Sequence, residues 1–423
     1  MNNTILKLEN QTLFAIIRME LNGVKIDLKK CKKVHVNLEK IKSSLVVNIQ
    51  QHCNKEININ SSEQLAKLLF EDLGLQPQLE KVGKNGNFSV DKSHLLKLYD
   101  QHQVVALLLD YRKTVSLLNF CKQLEKVNPK TKRLHGQFNQ IGTATGRLSC
   151  SKPNLQNIPN IKVEDDETSE LKILESQFRE MFIPKKGCVF ICADYSQIEL
   201  RVAAEMSQDK FLLKAYNTGM DIHTLTASEV FKIKLSEVTS QQRKIAKSIN
   251  FGLIYGKTPI GLAQTLTEIT GEHYSIEKAQ EIMDTYFERF SGVKTCLDGL
   301  IDFADTYGYS KTIFGRKRPI PQLTSNKLSE RNQGKRAAMN SPIQGTAADI
   351  IKMAMVACDQ KIIEQNLQSK MVLQVHDELL FEVPKNEIEI MKKLVRETME
   401  NVVQLSIPIE VGLEIGKNWA MAH

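Results

Sequence analysis

No stretch of the 423 residues approaches the ~18 uninterrupted apolar positions that a membrane-spanning helix needs, so no helical membrane protein is expected. Lys7, Glu9, Arg18 and Glu20 interrupt any apolar core near the N-terminus, which argues against a signal peptide. The eight cysteines (31, 53, 121, 150, 188, 192, 296 and 358) form no CxxC pair. The Cys188–Cys192 spacing fits no common zinc pattern, and with no secretory signal free thiols in a reducing cytosol are expected rather than a disulfide framework. There is no internal repeat and no low-complexity segment. Hydrophobic residues at 42% and charged residues at 25% exclude a disordered tail, a collagen-like chain and a coiled-coil rod. What remains is a soluble globular chain whose length sets a prior of two to three domains at roughly 150 residues each. Its net charge of +8 is compatible with a polyanionic partner, although many basic proteins never touch nucleic acid.

Residues 1–140 read as mostly helical. Leu28 to Gln51 is a long amphipathic stretch with lysines at 29, 30, 32, 33, 40 and 42, which serve equally well as phosphate grips or as a solvated face. Ser61, with Gln64 three residues on, predicts a capping-box start. Gly83–Asn87 is a loop signal, and Leu95 to Leu118 resumes apolar helical spacing. The middle changes character, with a Gly- and Thr-rich turn over 143–149 (TATGRLS) and a polar loop over 153–159 (PNLQNIP). Glu164, Asp165, Asp166 and Glu167 form an acidic run. The DxE pair of Asp165 and Glu167 has no second carboxylate cluster around it and reads as surface.

Val189–Ala193 is an apolar run of strand length that ends at Asp194, with a helix-like segment from Gln197 to Met206 behind it. Met371–Val375 and Leu379–Val383 read as two strands joined by a tight turn that carries Asp377 and Glu378. Turns favour Asp for reasons of their own, so each acidic tip by itself is equally a structural feature. Two carboxylate-tipped strand ends that converge across a sheet would instead suit Mg²⁺, which prefers oxygen ligands. Two such ions about 3.5–4 Å apart can stabilise the attacking and leaving oxygens of a phosphoryl transfer. Between these sites, Arg243, Lys247, Phe251 and Tyr255 stand at four-residue steps and share one helical face. Two cations followed by two aromatic rings match a nucleoside triphosphate, and Gly252 and Gly256 leave room for a base pair. Rings at those steps would be poor choices for a solvated face.

The segment 241–256 resembles the nucleotide-binding helix of family A DNA polymerases, those similar to bacterial DNA polymerase I. DYSQIELR (194–201) resembles that family's first catalytic motif and VHDEL (375–379) its last. TATGRLS, PNLQNIP and RAAMNSPIQGTAAD (336–349) are also family patterns, and the similarity runs from NGVKID (22–27) to Asn418 and Trp419. The resemblance implies an α+β right-hand fold with an antiparallel palm sheet, helical fingers and a helical thumb. It assigns residues 1–135 to the thumb with a palm-associated segment, 136–208 and 336–423 to the palm, and 209–335 to the fingers.

The implied reaction is templated addition of dNTPs to a primer 3′-hydroxyl by two Mg²⁺ ions, with Mn²⁺ as a substitute. Asp194, Asp377 and the carbonyl of Tyr195 would be the metal ligands and Glu378 an auxiliary acid. One ion would lower the pKa of the hydroxyl while the other neutralises the triphosphate. Arg243, Lys247 and His223 would clamp phosphates, with Lys247 also protonating pyrophosphate, although His223 equally fits an ordinary polar helix start. Glu199 would exclude a ribose 2′-hydroxyl beside Gln197 and Ile198 in the nucleotide site. Phe251 would cover the sugar and Tyr255 stack near the template base. Arg147, Arg336, Asn340 and Gln344 would contact DNA, three of them (Arg147, Asn340 and Gln344) by reading minor-groove acceptors common to every Watson–Crick pair. Asn154 and Gln156 would touch the backbone, and His376 would support the primer terminus.

A monomer acting on primer–template DNA in the bacterial cytosol, in repair or replication gap filling, is the implied setting. The thumb-like sequence begins almost at Met1, so no 3′–5′ exonuclease and no proofreading are expected. Segments 160–175 and 267–275 look longer than usual for the family. The alternative within the fold is relaxed template use, in lesion bypass or reverse transcription. A single-subunit RNA polymerase is disfavoured by Glu199, a dead DNA-binding factor by the presence of both Asp194 and Asp377, and a nuclease by the triphosphate clamp. Phe251 has no hydroxyl to replace a missing 3′-hydroxyl, so dideoxynucleotides should be incorporated poorly. Equal incorporation of dideoxy- and deoxynucleotides in a single-turnover assay would refute this.

Overall fold

The apolar run Val189–Ala193 extends into a strand, β1 (Cys188–Tyr195). The downstream runs become β2 (Lys370–Val375) and β3 (Glu378–Pro384), separated by the two-residue turn at His376 and Asp377. With β4 (Val411–Gly416) they form a sheet of order β4-β1-β3-β2. β1 and β3 are antiparallel, with Glu378 opposite Asp194 and Val383 opposite Val189. Phe190, Ile191, Ala193, Leu379, Leu380, Phe381 and Val383 are all buried, because the sheet is covered on both faces. That is why these strands read as continuous apolar runs instead of alternating ones.

The computed structural model describes residues 3–53, 56–77, 88–163 and 167–423. The loop signal at 83–87 and the acids Glu164, Asp165 and Asp166 lie outside the described residues. The chain divides into two compact units that interleave along the sequence. The first comprises 1–23, 137–151 and 186–415, and the second 24–136, 152–185 and 416–423. Among the described residues no helix is long and apolar enough to cross a membrane.

The first unit holds the four-stranded sheet and the helices α1 (Asn3–Asn22), α2 (Ile198–Ser207), α3 (Ile222–Phe231), α4 (Ser240–Ile254) and α5 (Leu328–Glu364). One core runs through it, from Ile191, Leu379 and Phe381 of the sheet to Ile249 and Leu253 of α4 and Ile350, Ile351 and Met355 of α5. A buried ionic cluster ties three of its parts. Lys352 of α5 donates to Glu9 of α1 at 2.7 Å, and Arg316 donates to Asp349 at 2.7 Å and also to Glu9. Thr312 donates to the other Asp349 oxygen at 2.8 Å. Burial works to raise the Glu9 pKa, yet Lys352 and Arg316 hold it below its usual value. At Asp349 burial wins, and the pKa is raised despite Arg316. Gly146 packs against the same arginine, where a Cβ would stand 2.6 Å from Nε at a φ of +84°, so a side chain there is excluded on both counts.

The second unit is built on two long helices, Leu28–Cys53 and Gln103–Leu124, with a small antiparallel sheet of Arg133–Leu134, Val24–Ile26 and Phe182–Ile183. Leu45, Ile49, Leu68, Leu69, Leu95, Val104 and Leu108 form its core. Two local expectations change here. Ser61 does cap the helix Ser62–Lys67, accepting from Gln64 N at 3.3 Å, but the Gln64 carboxamide accepts from Asn58 N at 2.7 Å instead of completing the box. The spacing from Leu95 to Leu118 is two helices, Lys92–Lys97 and Gln103–Leu124, because His102 leaves helical geometry and caps the second one through Nδ1 to Val104 N.

Asp349→Ala removes the buried acceptor of Thr312 and of Arg316 Nε, leaving Arg316 to share Glu9 with Lys352. It should cost about 3–5 kcal/mol by urea denaturation, as breaking a buried ion pair does. Lys278→Ala, which breaks only the exposed pair with Glu281, should stay within about 0.5 kcal/mol. Comparable losses from the two variants would contradict this account.

Candidate active site

The β1–β3 register decides where the acids stand. Opposed residues of an antiparallel pair share a face, so Asp194 and Glu378 project from the same side of the sheet. The ladder continues one step into the turn, where Tyr195 N donates to Asp377 O at 3.3 Å, which sets the backbone of Asp377 beside that of Asp194. The turn is held by Gln374 Nε2, which donates to His376 O at 2.6 Å, and His376 adopts a φ of +55°. His376 is exposed, Asp377 half-buried and Glu378 buried. Burial raises the Asp377 pKa and the Glu378 charge adds to it, while its own backbone N–H, His376 and Arg147 pull the other way. Such a carboxyl gains from a nearby cation. On the β1 side, the Tyr195 hydroxyl donates to Met399 O at 2.8 Å and Ser196 N to Glu410 O at 2.9 Å. The chain then reverses through Gln197 in the left-handed region, with Gln197 Oε1 accepting from the Tyr216 hydroxyl at 3.3 Å, and enters α2 at the buried Ile198.

Glu199, in the first turn of α2, is buried and accepts a hydrogen bond from Arg147 Nη2. Burial raises its pKa, Arg147 opposes this, and Asp377 adds to it. The residue expected to exclude a 2′-hydroxyl and one expected to read the minor groove are therefore bound to each other, within the field of Asp377.

Thr239 and Gln242 start α4 with a full capping box, each side chain accepting from the other's backbone N–H, at 3.2 and 2.9 Å. Its inner face buries Ile245, Ala246, Ile249 and Leu253. Arg243 and Lys247 are exposed, and Phe251 and Tyr255 are half-buried with ring centroids 6.2 Å apart. Arg243 is gripped by Asp221 through Nη2 at 2.6 Å and Nε at 3.2 Å. Asp221 also caps α3, accepting from Thr224 N at 2.7 Å. Burial opposes its charge, but Arg243 and the cap bring its pKa down to about 2. His223, in the first turn of α3, lies 6.0 Å from the Phe251 ring. Burial, with Arg243 and Lys247 adding and Asp221 opposing, lowers its pKa to about 4, so the ring is neutral at pH 7.

The end of α4 meets α5. Gly256 has a φ of +70°, and a Cβ there would fall 2.2 Å from Met339 Cε. Asn340 Nδ2 donates to Tyr255 O at 3.2 Å. Arg336, Asn340 and Gln344 follow at four-residue steps along one face of α5. Asn154 and Gln156 belong to the second unit, where Asn154 accepts from Gln156 N at 3.1 Å and caps the turn Leu155–Asn157. Two residues escaped the sequence reading, Asn250 and Thr226, which hydrogen-bond behind His223. The available signal was a polar Asn250 four residues after Ala246, on the face of α4 that is otherwise apolar.

The assembly combines Asp194 and Asp377 on neighbouring backbone positions, two exposed cations and two half-exposed rings, groups of the kind that a metal-assisted reaction on a nucleotide uses. The family profile described as DNA polymerase family A matches residues 28–421. DNA polymerase I of Caldicellulosiruptor bescii is 42% identical over 414 residues, 97% of this chain and 46% of that protein. DNA polymerase I of Bacillus subtilis is 41% identical over 416 residues, 98% of this chain and 45% of that protein. The chain thus spans a little under half the length of these relatives. Among solved structures, the POL domain of Pol1 from M. smegmatis in complex with DNA primer-template and dNTP superposes with a TM-score of 0.88 at 37% identity, covering 98% of this chain and 70% of that one. With a profile match of this extent and relatives this similar along nearly its whole length, the chain belongs to DNA polymerase family A.

Proposed function

We propose that the chain is a DNA-directed DNA polymerase that extends a primer 3′-hydroxyl with dNTPs copied from a template. The observation that carries this reading is the placing of the Asp194 and Asp377 backbones side by side at one end of an antiparallel pair, in a unit that also presents the Arg243–Tyr255 stripe of α4. The likeness to a polymerase domain with primer–template and dNTP bound supports it. In this reading β1–β4 form the palm, the helices from about 209 to 335 the fingers, and the helices before about 135 the thumb.

Asp194, Asp377 and the Tyr195 carbonyl present hard oxygen donors, the donor set that Mg²⁺ prefers. Bound there, two Mg²⁺ ions would supply the Lewis acidity that a hydroxyl nucleophile and a pyrophosphate leaving group need. The protein's own part is positioning. Arg243, preset by Asp221, and Lys247 hold the triphosphate, and Lys247 carries the proton that pyrophosphate takes on leaving. His223 adds a neutral donor. Phe251 covers the sugar while Glu199, fixed by Arg147, fills the space of a 2′-hydroxyl. Arg336, Asn340 and Gln344 contact the nascent pair or its backbone from α5, His376 supports the primer end, and Asn154 and Gln156 touch the backbone. Glu378 keeps the field at Asp377 negative. The cellular setting that suits this activity is gap filling in repair or replication.

Primer extension on a recessed template with Mg²⁺ tests the reading. Wild-type protein should add dNTPs as templated. Asp377→Ala should lose at least about 10²–10³-fold, the range for removing one transition-state stabiliser. Tight DNA binding without extension would instead indicate an inactive polymerase fold, and shortening of the primer by the wild type a nuclease. Glu199→Ala should raise the ratio of ribonucleotide to deoxynucleotide incorporation about tenfold or more, worth some 1.4 kcal/mol of lost discrimination. An unchanged ratio would remove Glu199 from that role.

A further inference from the structure

We infer that Asn250, oriented by Thr226, is a positioning residue that keeps His223 as a neutral imidazole with its proton on Nε2, so that the ring acts as an uncharged donor within a cationic phosphate clamp. The inference rests on the polymerase reading for its consequence, though not for its geometry.

The chain of contacts is short and buried. Thr226 Oγ1 donates to Asn250 Oδ1 at 3.0 Å, and Asn250 Nδ2 lies 3.1 Å from His223 Nδ1. The three residues are 0%, 1% and 2% exposed, so water does not compete for these groups. A carboxamide that accepts from a threonine on its oxygen turns its NH₂ to the histidine. Nδ1 must then be the acceptor, and it cannot carry a proton. The remaining proton sits on Nε2, which makes no hydrogen bond to any described residue. The charged groups around the ring act in the same sense. Arg243 and Lys247 of α4 disfavour an imidazolium and burial adds to them, with Asp221 at the cap of α3 as the one opposing charge. Asn250 thus explains a polar side chain at an apolar position of α4. A protonated His223 would make a third cation beside Arg243 and Lys247, and its hold on a triphosphate would vary with pH. A neutral Nε2–H gives the hydrogen bond without the titration.

Histidine-labelled protein of this sequence, studied by nitrogen-15 NMR without substrate, reads the ring directly, with the His223→Gln spectrum identifying its signals among the nine histidines. The expected result at pH 7 is a bare Nδ1 and a protonated Nε2. A protonated Nδ1 would overturn the inference whatever the enzyme does. Thr226→Val should release the amide and let the Nδ1–H form appear. In kinetics, Asn250→Asp offers Nδ1–H an acceptor. Its KM for dNTP should acquire a roughly tenfold dependence on pH between 6 and 8.5 that the wild type lacks and that Asn250→Asp/His223→Gln loses. A purely structural role for Asn250 would lower kcat or thermal stability without creating that His223-dependent limb. Absence of extension by the wild type would sink the polymerase reading and leave the NMR result standing.

Discussion

The register of one antiparallel ladder governs both the core and the chemistry of the first unit. With Glu378 opposite Asp194, the buried side chains of β1 and β3 face their helical partners, and the next step of the ladder sets Asp377 beside Tyr195. Side chains alternate with a period of two, so a slip of one residue would send Ile191, Ala193, Leu379 and Phe381 to the wrong faces while separating the acids. Both faces of the sheet are buried, so the fit of those side chains against particular helices, rather than burial as such, sets the register that places the backbones of Asp194 and Asp377. The site needs no local rigidity of its own beyond the turn bonds of Gln374 and the anchored Tyr195 hydroxyl.

Charge is handled differently in the two polar clusters of this unit. Around Glu9, Arg316, Asp349 and Lys352 two acids meet two bases, with every contact inside the protein. That arrangement fixes α1, α5 and the loop at Gly146 and leaves nothing for a ligand. At the sheet end, burial pushes up the pKa values of Asp377 and Glu199, and Arg147 opposes the shift at both. Carboxyls whose charge burial disfavours in this way are unfavourable for folding alone and mark a candidate site for a cation. The α4 stripe shows the converse, with Arg243 and Lys247 exposed and Arg243 held by Asp221.

Much of this was legible in the sequence, for identifiable reasons. Strand-length apolar runs ending in Asp194 and before Asp377 named the two strands, because burial on both faces leaves no alternation to misread. The four-residue spacing of Arg243, Lys247, Phe251 and Tyr255 named a helical face. What stayed hidden depends on contacts between residues far apart in the chain. Nothing local links Arg147 to Glu199, Glu9 to Lys352, or Asn250 to His223 and Thr226. The break between Lys92–Lys97 and Gln103–Leu124 was masked because apolar spacing persists through it, while the cap at His102 uses a residue type that rarely signals a helix start. Gln64 was expected to complete a capping box with Ser61, but its side-chain oxygen accepts from Asn58 N instead.

The junction of α4 and α5 joins two tasks that the family reading gives to separate residues. Asn340, proposed to contact the nascent base pair, already donates its amide to the carbonyl of Tyr255, at the end of the helix proposed to carry the phosphate and sugar contacts. Its Oδ1 is buried with no partner of its own. Next to this bond, Gly256 turns through a positive φ that strains any other residue, with Met339 of α5 packed against it. A hydrogen bond between a side chain and a helix-terminal carbonyl is modest in net energy, about 1 kcal/mol, so it can be exchanged at little cost for a contact to a base. A rearrangement of α4 that moves Tyr255 must therefore also change what Asn340 can donate to. In the proposed function, substrate positioning on one helix and inspection of the base pair from the other are then parts of a single local equilibrium.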